Sequence, residues 1–136
     1  MRDTELKRKK AEALYSVYKR CLEEGHFASM REVARYASKQ PAPRFFIEAK
    51  IASDLVGRIS RKVSLINLNS NSRKQVWQLH GMYQKYLAEH PDCQLSRERI
   101  MEILVDEPAP EFYITTEGAR RLLYGEIRKV RRRSGW

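Results

Sequence analysis

The chain reads "QPAPRFFI" at residues 40–47 and "EPAPEFYI" at residues 107–114, and this doubled phrase is the most unusual feature of the sequence. Each proline lacks an amide hydrogen and keeps the residue before it out of the helical region of backbone space. Both phrases are therefore predicted to be extended connectors, each leading into a helix. Their aromatic and isoleucine side chains are too apolar to stay in water together, so at least one aromatic of each pair should fill the core.

The match between the two parts of the chain extends well beyond these phrases. When residues 41–63 are laid over 108–130 without gaps, ten of the 23 positions are identical. A repeat of this length indicates a tandem duplication. The sequence therefore predicts an all-α fold of two tandem three-helix, helix-turn-helix-like repeats packed together. The predicted bounds are 1–66 for the first repeat, 67–72 for the linker and 73–136 for the second repeat with its basic C-terminal helix.

Helix starts can be placed in both copies, and the third helix of each copy is expected to complete the core of its own repeat. Ser29 and Glu32 have the spacing of a capping box at the start of the second helix. In the second copy, Ser72 is predicted to cap the first helix. Glu48 and Thr115 follow the two connectors directly and are predicted to be the N-caps of the third helices.

Charge is abundant and unevenly distributed. The chain has 27 Lys and Arg against 17 Asp and Glu, a net charge of +10. A surplus of this size on a small chain favours a polyanionic partner, above all nucleic acid. Residues 120–133 hold seven basic residues and one acidic residue, whereas residues 72–117 hold five basic and eight acidic ones. This segregation is typical of a nucleic-acid binder with a defined docking side.

The acidic residues in the second copy raise an alternative. Glu102, Asp106, Glu107 and Glu111 form an acidic run beside the second phrase. We interpret this run as a solvated face or as a docking strip for the basic helix of the other copy. Glu111 also stands where the first copy has Arg44, so the two copies are expected to make different contacts.

A helix-turn-helix places its last helix in the major groove of DNA, so the basic third helices are the predicted binding elements. The connector is longer than the three or four residues of an ordinary helix-turn-helix turn, so it does not fix the angle between the helices. Arginine can bind phosphate or guanine through two parallel bonds, which suits this role. We expect DNA rather than RNA as the partner. The predicted binding residues are Lys50, Arg58, Arg61 and Lys62 in the first copy, and Arg120, Arg121, Arg128, Lys129, Arg131, Arg132 and Arg133 in the second.

Catalytic and metal-binding patterns are missing from the sequence. No Ser–His–Asp, HExxH, P-loop or Gly-rich dinucleotide signature occurs, which predicts a protein that is not an enzyme and has no cofactor or small-molecule substrate. Cys21, His26, His90 and Cys93 could meet around zinc only if the two copies brought them together, and their spacing is not that of a zinc finger. The sequence predicts no metal site. The alternative function is a structural or adaptor protein of a phage particle or other assembly, binding acidic protein surfaces.

The predicted setting follows from segments that the sequence lacks and from one resemblance. No apolar run approaches the roughly 18 residues of a membrane span, and the charged start "MRDTELKRKK" is unlike a signal peptide. We therefore expect no membrane partner and a cytoplasmic location in a bacterial or phage-infected cell, or in a virion. The phrases "PAPRFF" and "PAPEFY", each before a helix, resemble those of small, basic, duplicated proteins of gut bacteria and their phages. The resemblance covers most of the chain and implies a phage or mobile-element setting, without any functional residue.

Overall fold

The structure is a computed structural model that describes residues 3–25 and 27–134. Its regular elements are α-helices, as the sequence predicts, and the described residues contain no β-strand. Outside the helices they hold one isolated antiparallel bridge. The helices are α1 Asp3–Glu24, α2 Met30–Ser38, α3 Ala49–Ser60, α4 Ser70–Glu89, α5 Arg97–Leu104 and α6 Thr116–Arg133.

Side-chain caps begin most of these helices. The Ser29 hydroxyl accepts a hydrogen bond from the Glu32 amide, and the Glu32 carboxylate accepts one from the Ala28 amide, so the predicted capping box is confirmed. Thr115 caps α6 as predicted. Glu48 stands at the N-cap of α3 but makes no side-chain capping bond. The Ser72 prediction is wrong, because Asn69 caps α4 by accepting from the Ser72 amide and the helix starts inside the predicted linker.

The helices pack in a different order from the predicted repeats. α6 packs against α1 and α2, whereas α3 packs against α4 and α5. Among the described residues, α3 does not pack against α1 or α2, the helices of its own copy. The expectation that each third helix completes the core of its own repeat is therefore wrong. The chain instead forms the α1–α2–α6 bundle and the α3–α4–α5 bundle. Only the latter is continuous in sequence.

The two connectors cross between these bundles. The segment 39–48 leads from α2 to α3, and the segment 105–115 leads back from α5 to α6. They meet antiparallel at Ala42 and Ala109, whose amides donate to each other's carbonyls at 2.9 and 3.0 Å. In each phrase the alanine stands between two prolines and supplies the only amide hydrogen of the three residues. The Pro-Ala-Pro segment therefore has one amide that can pair, and both copies use it.

Further contacts recur in reciprocal form on the two sides of the crossing. The Phe45 amide donates to the Val105 carbonyl at 2.9 Å, and the Phe112 amide donates to the Ser38 carbonyl at 3.1 Å. Phe45 and Phe112 are equivalent positions, 67 residues apart, and so are their partners Ser38 and Val105. The contacts thus follow a pseudo-twofold pattern. The duplication as an evolutionary event stays a prediction.

Aromatic side chains of both connectors fill the core at the crossing. Phe45 and Phe112 are each 1% exposed, as expected for one aromatic of each pair. Phe45 stacks on Tyr113 with ring centroids 6.0 Å apart, and Phe112 stacks on Phe46 at 6.1 Å. Burial, followed by the carboxylate of Glu111, raises the pKa of Tyr113 to about 12. The buried residues of both bundles form one continuous cluster that includes Phe45 and Phe112.

Two ion pairs between the connectors flank the crossing. Arg44 of the first connector lies 3.2 Å from Asp106, and Glu111 of the second connector lies 3.6 Å from Lys39. In both pairs the first connector supplies the cation and the second connector supplies the anion, because equivalent positions of the two copies carry opposite charges. Part of the acidic run thus docks on basic residues of the other copy, although on the end of α2 and the connector rather than on a third helix. If a connector instead crossed an identical connector, Arg44 would face Lys39 in one case and Glu111 would face Asp106 in the other, so like charges would meet.

Reversing one charge of the second pair tests this arrangement. Lys39→Glu is expected to lower the free energy of unfolding by about 0.5–1 kcal/mol, because it places two carboxylates together. Adding Glu111→Lys should restore most of that loss, as measured by urea unfolding of the single and double variants. Lys85→Glu, which breaks an exposed pair with Glu89 within α4, is the control and should cost less. Equal losses in the single and double variants would contradict the pairing.

At the end of α3, a tripeptide that occurs twice in the chain adopts two different structures. The tripeptide Arg-Lys-Val occurs at 61–63 and again at 128–130. In the first copy the Val63 amide bonds to the Arg58 carbonyl and the Lys62 amide to the Ile59 carbonyl, with Lys62 at φ 60°. This is a Schellman motif, which ends the helix with a left-handed residue. In the second copy the same three residues lie inside α6.

Glycine substitutions at these two lysines should have opposite effects. Lys62→Gly is expected to raise the free energy of unfolding by about 1 kcal/mol, because glycine adopts the left-handed conformation without the Cβ clash. Lys129→Gly should lower it by about 1 kcal/mol, because glycine is a poor residue for a helix interior. Urea unfolding of both variants measures the difference. Destabilisation by both would contradict the left-handed backbone at Lys62.

Candidate nucleic-acid interface

α6 is the most basic helix of the chain, with seven Lys and Arg against Glu117 and Glu126. Its buried residues, Ala119, Leu123 and Glu126, lie on the side that packs against α1 and α2. At 100° per residue, Arg121 lies on the opposite side, and Arg128 and Arg132 fall within about 20° of the same line. These three exposed arginines, here called the arginine stripe, extend about 16 Å along the helix.

The arginine stripe is available to an anionic partner. None of its three guanidinium groups makes an ion pair or a side-chain hydrogen bond with another of the described residues. Tyr124 is exposed beside the stripe, and Gly125 lies between Arg121 and Arg128 with open space where a side chain would be. A phosphate backbone could therefore approach the helix closely at this point.

The remaining basic residues of α6 differ in how free they are. Arg120 is half-buried and donates to Glu117 at 2.9 Å, and this hydrogen bond is the main reason why its pKa is raised. Lys129 lies 3.4 Å from the buried carboxylate of Glu126. Both charges are thus partly compensated within the helix. Arg131 and Arg133 are exposed in the last turn, where cations interact favourably with the helix dipole.

Arg131 also connects the interface to α1. Burial raises the pKa of Tyr18. The neighbouring Tyr15 and Tyr124 raise this pKa further, whereas the positive charge of Arg131 opposes the increase. Tyr18 belongs to α1, which packs against α6, and its pKa is influenced by Tyr124 and Arg131 of that helix. The exposed Lys19 lies over the Tyr15 ring at 5.3 Å.

The predicted residues of the first copy form a weaker basic surface. Lys50 is exposed and Arg58 is half-exposed, but the exposed Asp54 lies one turn from each and reduces their combined charge. Arg61 and Lys62 are exposed beyond the last residue of α3. Within the described residues α3 and α6 do not touch, so the structure does not bring the two predicted sets together into one cluster. The two copies are not equivalent.

No family model, curated protein or solved structure matches this chain. Among residues 3–25 and 27–134, no group of three or more His, Cys, Asp or Glu side chains is placed to hold a metal ion. None of the described helices is both long and apolar enough to cross a membrane. His26, one of the four possible zinc ligands in the sequence, lies outside the described residues.

Sequence reasoning missed the tight packing between α3 and α5. The Arg97 side chain donates to the Ser53 hydroxyl at 3.1 Å and covers Gly57, where an added Cβ would lie 2.7 Å from the guanidinium. Ser53 and Gly57 are small residues one turn apart, which is the signal for a close helix approach. That signal could not identify Arg97 as the partner, because α5 belongs to the other copy. Arg97 is therefore a packing residue of the α3–α4–α5 bundle.

Proposed function

We propose that this protein binds double-stranded DNA without catalysing a reaction, with α6 as its principal binding element. The observation that carries the proposal is the arginine stripe, Arg121, Arg128 and Arg132, set opposite the buried face and without carboxylate partners among the described residues. An arginine guanidinium donates two parallel hydrogen bonds to phosphate. Three such groups on one line can follow a phosphate backbone.

The charge of the whole protein supports the same partner. A net charge of +10 draws a polyanion to the surface at long range. Arg131 and Arg133, exposed in the last turn of α6, add positive charge at the end of the helix that carries the arginine stripe. The α3 set, with Asp54 among its cations, contributes less. We therefore propose binding that is dominated by phosphate contacts and depends steeply on salt.

Fluorescence anisotropy with a labelled duplex of random sequence tests the proposal. The full chain is expected to bind at low salt, and the logarithm of the binding constant should fall linearly with the logarithm of the salt concentration. A duplex RNA of the same sequence serves as the comparison and should bind more weakly. Absence of binding to DNA at both low and moderate salt would remove the proposed function.

A further inference from the structure

An apolar groove lies between the end of α3 and the start of α4, away from α6. It has a volume of about 590 Å³ and is lined by Val63, Ile66 and Trp77, among others. These three side chains are 48%, 84% and 56% exposed. Single exposed apolar residues are ordinary, but three that share one groove are typical of an interaction site. Tryptophan is also the residue most enriched among those that dominate binding energy at interfaces.

The rim of the groove is basic. Lys62 and Arg73 line it, and none of the described carboxylates does. Arg73 is held in place by donating to the Leu68 carbonyl at 2.7 Å, and it makes no ion pair with another described residue. Arg61 and Lys74 are exposed next to these two in sequence. An occupant of the groove would therefore meet positive charge around an apolar floor.

We infer that this groove binds a segment of a partner protein that combines apolar side chains with carboxylates. Charge complementarity selects the acidic groups, because Lys62 and Arg73 place positive charge along the groove. The branched side chains of Val63 and Ile66 select apolar side chains over nucleic-acid bases, which bind by stacking on flat aromatic surfaces. A second copy of this chain is disfavoured by its own charge of +10. The inference is independent of DNA binding by α6.

A displayed library of random short peptides, selected on the full chain, tests the inference. Enriched peptides are expected to combine apolar residues with Asp or Glu. Ile66→Asp and Trp77→Ala should each weaken their binding by about tenfold or more. The matched control is Leu22→Asp, which introduces the same charge at a side chain that is 56% exposed on α1. This variant should bind the peptides like the unaltered protein.

Several outcomes would overturn the inference. Failure to enrich any peptide, or enrichment of peptides that bind equally well to Ile66→Asp, would exclude a peptide site in the groove. Sedimentation that shows self-association lost in Ile66→Asp would assign the groove to a second copy. Oligonucleotide binding lost in Trp77→Ala would assign it to nucleic acid. If the unaltered protein binds the peptides but not DNA, the proposed function is refuted and the peptide site is retained.

Discussion

Phe112→Ala is expected to lower the free energy of unfolding by about 3–5 kcal/mol, because it empties a site in the core that is 1% exposed. The whole protein should feel this loss. Phe112 follows the α5 end of the second connector, and its amide bonds to Ser38 of α2, so the ring lies where the two bundles join. Circular dichroism during urea unfolding should show one transition at a lower midpoint.

The comparison variants for this experiment are chosen around the same stacked pair. Phe46→Ala removes the partner ring, which is only partly buried, and should cost less than Phe112→Ala. Phe112→Leu keeps most of the volume and should cost about 1 kcal/mol, so it remains measurable if the alanine variant fails to fold. Two separate transitions in Phe112→Ala, with the α3–α4–α5 bundle retained, would contradict the single core.

The triple variant Arg121→Ala, Arg128→Ala, Arg132→Ala is expected to weaken DNA binding by about 1,000-fold at low salt. Each arginine loses a charge-assisted hydrogen bond to phosphate that contributes on the order of 1.5 kcal/mol or more. The slope of the logarithm of the binding constant against the logarithm of the salt concentration should also fall by about three. Anisotropy titrations at several salt concentrations measure both quantities.

A second triple variant separates the position of these charges from their number. Lys50→Ala, Arg58→Ala, Arg61→Ala removes three positive charges from α3 and the residue that follows it. We expect a loss of only a few-fold, because Asp54 already offsets part of this charge. Equal losses in the two triple variants would show that net charge alone drives binding. All substituted side chains are exposed or half-exposed, so circular dichroism should show intact folding in both.

The candidate site could be predicted in part from the sequence. The basic character of α6 and its outward arginines follow from composition and from the spacing of Ala119 and Leu123. The partial compensation of Arg120 by Glu117 and of Lys129 by Glu126 also has the spacing of neighbours on a helix. The groove beside Trp77 could not be predicted, because the loop that carries Val63 and Ile66 has no regular pattern that fixes its course.

The sequence by itself determined the helical content, the helix caps at Ser29 and Thr115, and the extended, proline-bounded connectors. Each of these depends on a residue and its near neighbours, so local chemistry is sufficient. Only the tertiary structure decided which helices pack together, because a local pattern says which face of a helix is apolar and not which apolar face it meets. Because both copies have the same connector phrase, the hydrophobic pattern allowed α3 and α6 to pack either with helices of their own copy or with helices of the other copy. In the structure the connectors cross at Ala42 and Ala109 beside two ion pairs, and each third helix packs against helices of the other copy.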